Sequence, residues 1–191
     1  NSSTSERNTY IGYTAGDAVH DSANDNTGVG YYALTAITGG DQNTAMGSGT
    51  LQAVTTGQYN TAFGFNAGVA IDTSSNNTAV GRSALAADTG NSNTAVGYGS
   101  LTAATGAENV AVGMNAGVTI VAGANNTFVG NAADGAAAVN NQIAIGSTAV
   151  TTGQYGIAIG DNLSVAGNDF AFGRASNVVK CDFDADATFA R

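Results

Sequence analysis

One motif, Asn-Thr-small-apolar-Gly, returns along the whole chain and limits the fold more than any other feature. It reads Asn8-Thr9-Tyr10-Ile11-Gly12, then Asn26-Thr27-Gly28-Val29-Gly30, then Asn43-Thr44-Ala45-Met46-Gly47. It continues at Asn60 to Gly64, Asn77 to Gly81, Asn93 to Gly97, Asn109 to Gly113 and Asn126 to Gly130. It then loosens into Gln142 to Gly146, Gly156 to Gly160 and Asp169 to Gly173. The step between closing glycines is 18 residues at the start (Gly12 to Gly30) and 13 at the end (Gly160 to Gly173). A short, nearly fixed period marks one coil of a repeat architecture, in which each coil buries its apolar face against its neighbours.

Within a repeat, Thr78, Ala79 and Val80 alternate faces if extended, which is strand periodicity. Gly81 closes that strand at a turn that favours positive φ. Ser83-Ala84-Leu85 reads as a second extended segment, as do Tyr32-Ala33-Leu34 and Gly99-Ser100-Leu101. A second turn follows, often Thr-Gly, as at Thr38-Gly39, Thr56-Gly57, Thr105-Gly106 and Thr152-Gly153. Two strands and two turns make a flattened coil, and stacked coils add roughly 4.8 Å each. About eleven coils then give a rod of roughly 50 Å.

The third motif position is mostly alanine: Ala45, Ala62, Ala79, Ala95, Ala111, Ala144, Ala158 and Ala171. Its neighbour is larger, as at Met46, Phe63, Val80, Val96, Ile145 and Phe172. These two columns face opposite ways in a strand. Alanine inside a thin roll leaves a continuous apolar stripe outside, and a monomer rarely exposes such a stripe. The natural cover is the same stripe on identical chains around a symmetry axis. A register shift of one residue would swap the two faces, so the opposite assignment stays open. Tyr10, Gly28 and Phe128 break the alanine column without an evident reason.

Composition narrows the partners. Only 10% of the 191 residues are charged, against roughly 25% in ordinary soluble domains, so much surface is expected to be hidden. There is no proline, and the apolar alternation argues against disorder. The net charge is -9 and the five basic residues are scattered, which excludes a nucleic-acid-binding patch. Cys181 is the single cysteine, so no disulfide closes within the chain. No apolar run reaches the roughly 20 residues of a membrane helix. The chain begins at Asn1 and shows no signal peptide, and it reads as a piece of a longer protein.

The repeats carry a family likeness. Gln142-Ile143-Ala144-Ile145-Gly146 and Gly156-Ile157-Ala158-Ile159-Gly160 are similar to the head of trimeric autotransporter adhesins. That resemblance implies a left-handed parallel β-roll, trimerised along its length. The longer Asn-Thr-Ala-Val-Gly…Ala-Leu repeats look more like bacteriophage tail-fibre and tailspike regions. Val178 to Arg191 resembles the segment that such fibres carry before a self-cleaving intramolecular chaperone. The implied function is host attachment, and an end at Arg191 is compatible with that cleavage.

Candidate chemistry is sparse. Asp182, Asp184 and Asp186 alternate and would share one strand face, where carboxylate rings in a trimer could bind a cation. Ala187 stands where the EF-hand turn glycine belongs, so a solvated strand is the better reading. His20 beside Asp21 reads as an exposed loop histidine. Tyr13, Tyr31, Phe65 and Tyr98 recur after the motif glycine, and Arg82 and Met114 fill the same column. Exposed rings there suit sugars, but packing between coils or chains is the simpler role. The threonine column (Thr9, Thr27, Thr44, Thr61, Thr78, Thr94, Thr127) invites an ice-binding reading. Cross-coil threonine pairing fits better, because the residue two further on is bulky and apolar. The asparagines are expected to stack as an amide ladder.

The expectation is an all-β, parallel β-roll or β-solenoid of about eleven short two-strand coils over residues 1–173, homotrimeric, with residues 174–191 a C-terminal strand or linker toward a chaperone domain. The expected function is a structural and host-attachment segment of a viral tail fibre, located in the virion. The alternatives are the head of a bacterial trimeric adhesin at the cell surface, or a non-catalytic part of a glycan-degrading tailspike. No enzyme activity, cofactor or metal is expected. Expected partners are further copies of the chain, other tail-fibre or baseplate proteins, and a host glycan or outer-membrane protein. The turns that vary most, Val19 to Asn24, Asp72 to Asn76 and Ala133 to Asn140, are where receptor contacts are expected.

Overall fold

The computed structural model describes residues 7–18, 22–87 and 90–182. These residues form β1 (Thr9–Ile11), β2 (Thr27–Val29), β3 (Thr44–Met46), β4 (Thr61–Phe63), β5 (Thr78–Val80), β6 (Thr94–Val96), β7 (Val110–Val112), β8 (Thr127–Val129), β9 (Ile143–Ile145), β10 (Val150–Thr151), β11 (Ile157–Asp161), β12 (Ser164–Val165), β13 (Asp169–Arg174) and β14 (Asn177–Asp182). The motif strands β1 to β9, β11 and β13 lie side by side in chain order, all parallel, and enclose about ten turns of a β-solenoid. Register is kept column by column, with Thr44 against Thr61, Ala45 against Ala62 and Met46 against Phe63.

The second side of the coil differs from the expected strand. Among the described residues only β10 and β12 pair there as strands, in the two shortest coils. In the longer coils the segment winds through left-handed residues: Tyr32 and Leu34 have φ of 57° and 52°, and Ser83 and Leu85 have 55° and 48°. This kinked backbone still bonds to the next coil at alternate residues. The Leu34 N–H donates to the Thr50 carbonyl at 3.1 Å, Leu51 to Ala67 at 3.0 Å and Leu85 to Ser100 at 3.0 Å. Left-handed leucine is strained by about 1 kcal/mol or more. Complete burial of Leu34, Leu51, Leu85 and Leu101 offsets that, at roughly 2 kcal/mol each.

Inside and outside fall as the alanine column predicts. Ala45, Ala62, Ala79, Ala95 and Ala111 are buried, while Met46, Phe63 and Val112 are exposed. A third inward column, which the motif does not reveal, lies seven residues past the closing glycine at Ile37, Val54, Ile71, Ala104 and Ile120. The three exceptions in the alanine column also have a cause. A Cβ at Gly16 would lie 2.6 Å from Cγ of Tyr10, and one at Gly28 would lie 2.9 Å from its Cδ1. A Cβ at Gly117 or Gly135 would lie 3.0 or 2.8 Å from the Phe128 ring. Tyr10 and Phe128 therefore fill space that glycines vacate, one in the same coil and one in a neighbouring coil each.

The same complementarity links coils in pairs. Gly49 leaves room for the Asn66 side chain of the next coil, and Gly99 leaves room for Asn115. A Cβ at Gly68 would lie 2.7 Å from Leu51, and one at Gly117 would lie 2.7 Å from Leu101. A Gly-Thr-Leu or Gly-Ser-Leu coil is thus followed by an Asn-Ala-Gly coil shaped to it.

The asparagine ladder is present and buried. Asn43 Oδ1 accepts from the Asn60 backbone N–H at 3.0 Å and from its Nδ2 at 3.1 Å. Asn43 Nδ2 donates to Asn26 Oδ1 and to the Gly57 carbonyl. At every step from Asn8 to Gln142 the backbone N–H of one rung donates to the side-chain oxygen of the rung before, and among the described residues Asn77 Nδ2 is buried without a hydrogen bond. At the C-terminal end β14 reverses and pairs antiparallel with β13, closing the last coil.

Candidate interaction face

The outward face of the motif sheet is the largest chemical feature of the molecule. Each strand turns its first and third residues outward. The third-position column is apolar from end to end, with Ile11 61% and Phe63 55% exposed. Val29, Val80, Val96 and Val129 are half-buried in the same column. The first-position column is threonine in most coils from β1 to β8, and these hydroxyls sit beside the apolar residues. From β9 onward that column is Ile143, Ile157 and Phe170, so both outward columns are apolar there. Phe170 and Phe172 stand 5.9 Å apart between ring centroids.

The backbone bends at each closing glycine from Gly12 to Gly146, so the next residue stands past the edge of the sheet. Tyr13 and Tyr31 stack there at 5.6 Å, nearly parallel at 12°, and Tyr32 meets Tyr31 edge-on at 4.2 Å. Hydrogen bonding to Tyr31 raises the Tyr32 phenol above its ordinary range. Further along this column Arg82 lies over Tyr98, 5.5 Å from the ring centre. Arg7 grips Asp25 with Nη2 to Oδ2 at 2.6 Å, and that hydrogen bond holds the Asp25 carboxyl below its usual range.

Two buried carboxylates escaped the sequence reading. Asp134 stands in the leucine column, where the second side changes from left-handed turns to strand. It accepts from the backbone N–H of Gly135 at 2.9 Å and of Thr119 at 3.2 Å. Burial dominates and pushes its carboxyl above the ordinary range. Asp169 ends the amide-ladder column, and its side chain is 5% exposed. The signal for Asp134 was its place four residues past Gly130, where every earlier coil carries leucine or glycine.

His20, Asp21, Asp184, Asp186 and Ala187 lie outside the described residues, as does the 19–21 part of the first variable turn. Asp182 is the last residue of β14. Cys181 is a free, half-buried thiol. Among the described residues no cluster of His, Cys, Asp and Glu has the makings of a metal site. A notch of about 250 Å³ is lined by Asp161, Asn162, Arg174, Ala175 and Ser176. Its two charges pair with each other at 2.9 Å. No described helix is long and apolar enough to cross a membrane.

Comparison with known proteins leaves the face to be read on its own chemistry. No family model matches the chain, and no curated protein or solved structure matches it significantly.

Proposed function

We propose that this chain is a rigid, homotrimeric rod segment of a viral tail fibre that presents receptor-binding surfaces to the host cell. The observation that carries the reading is the apolar column on the outward sheet face, continuous from Ile11 to Phe172 with several members 37% or more exposed. A monomer in water would pay for such a stripe with solubility, whereas identical chains meeting along it bury every copy at once. Low charge along the same face favours that meeting. A trimer also repeats each surface feature three times, so weak contacts sum into avidity.

Native mass spectrometry tests the assembly. Three copies are expected, and Val96→Asp, which sets a charge on the shared face, is expected to break them into monomers. A monomeric parent chain would sink the trimer, and a Val96→Asp chain that stays trimeric would show that another face carries it. The gene beyond Arg191 tests the viral part. A helical chaperone domain there is the expected result. A heptad stalk leading to membrane-spanning strands would make this an adhesin head instead, the reading favoured by the two-strand coils at β9 to β12.

A further inference from the structure

We propose that Phe65, Arg82 and Tyr98 form a binding site for carboxylate-bearing saccharides, which deepens the host-attachment reading by naming a ligand class. The three residues hold consecutive rungs of one column: the Ser83 N–H donates to the Phe65 carbonyl, and the Gly99 N–H to the Arg82 carbonyl, both at 3.0 Å. Phe65 and Tyr98 are about half exposed. Arg82 is exposed and lies over the Tyr98 ring at 5.5 Å.

The charge pattern selects the ligand. The chain carries -9, and Arg82 is its one lysine or arginine between Arg7 and Arg174. Those two flanking arginines are paired, Arg7 with Asp25 and Arg174 with Asp161. Among the described residues Arg82 has no carboxylate partner. Tyr98 holds its guanidinium by a cation–π contact, and that contact uses none of the N–H groups a bidentate carboxylate needs. The flat rings beside it offer platforms for the C–H face of a pyranose. An acidic rod repels anions generally, so an anionic sugar held here is held by this residue.

Calorimetric titration with hexagalacturonate and with sialyllactose tests the site, using the methyl-esterified hexamer and lactose as neutral controls. Binding of at least one acidic probe is expected, with its neutral control weaker by about tenfold or more, the order set by a charge-assisted bidentate pair. Arg82→Gln is expected to lose a similar factor while keeping its native mass, and Tyr98→Ala to weaken binding with the charge intact. Failure of both acidic probes, or equal binding by Arg82→Gln, overturns the site. A native mass changed by Arg82→Gln, without binding in the parent, would overturn it in favour of a contact between copies. A parent that is monomeric yet binds acidic sugar through Arg82 would keep the site and remove the trimer.

Discussion

Lys180 of β14 reaches back to Asp169 of β13, with Nζ 2.5 Å from Oδ2, and so neutralises the residue that ends the buried amide ladder. Asp169 follows Gln142 and Gly156 in that column, at the point where the next coil would supply an amide. The antiparallel return of β14 sets Lys180 opposite Ala171, one inward position from Asp169. The hairpin thus closes the last coil electrostatically as well as through its backbone ladder.

Lys180→Met leaves the Asp169 carboxylate buried without its cation. Because Lys180 is itself half exposed, a loss of about 2 kcal/mol is expected, below the range for a fully buried pair. Urea denaturation measures it. A midpoint unchanged from wild type would mean that the ion pair contributes nothing to the closure.

Gly81→Ala tests a close backbone approach between two coils. Gly81 has φ +127°, and an added Cβ would lie 2.6 Å from the carbonyl oxygen of Gly97 in the next coil. Both strain and clash act, and a loss of about 3 kcal/mol or more is expected. A chain with alanine there and normal thermal stability would contradict the stacking distance between these coils.

Asn60→Ala removes the middle of the ladder. The Asn77 N–H and the Ser74 carbonyl then lose buried partners, as does one amide bond to Asn43. The expected loss is about 2 kcal/mol, mainly from the orphaned, buried Asn77 N–H. Amide hydrogen exchange gives a local check, since the Asn77 N–H should lose protection before distant coils do.

Asp134 sets a pH dependence of defined sign. Burial raises its folded carboxyl above the unfolded value, so the folded chain holds that proton more tightly. The stability it contributes is complete below the unfolded value of about 4 and is lost as pH rises through the folded value. Asp134→Asn removes the charge and keeps the shape. The variant is expected to melt above wild type at neutral pH, with the difference shrinking as pH falls toward about 4. A difference that does not change with pH would show that burial of the charge is not what matters there.

Much of the fold was legible because the motif repeats three physical requirements at once. The Ala79 type of position has to be small to sit inside, the Val80 type faces out, and the Asn77 type stacks. Repetition turns these weak local signals into columns. The second side was misread because Ser83-Ala84-Leu85 resembles an extended segment when taken alone. Its left-handed turns were signalled only across coils, where Gly16, Gly68 and Gly117 share a column with Leu34 and Leu85. A column that accepts both glycine and leucine is constrained in backbone and permissive in volume. Tyr10 and Phe128 were opaque for a related reason: the room they fill is left by glycines spread over two coils, Gly16 and Gly28 for Tyr10 and Gly117 and Gly135 for Phe128, and no one position announces it. Of the candidate site, the aromatic column was visible in the sequence. The stacking of Arg82 on Tyr98 required the register between coils.

The fit of Asn66 into the room left by Gly49, and of Asn115 into that left by Gly99, makes pairs of coils the exchangeable parts of this rod. Removing a single member either takes from a leucine the room that Gly68 or Gly117 gives it, or takes from an asparagine the room that Gly49 or Gly99 gives it. Removing both takes the whole matched fit out together. Changes of length are therefore easiest in steps of about 10 Å, two coil spacings at a time. Such a chain can vary its reach by whole modules while the columns on its faces stay in line.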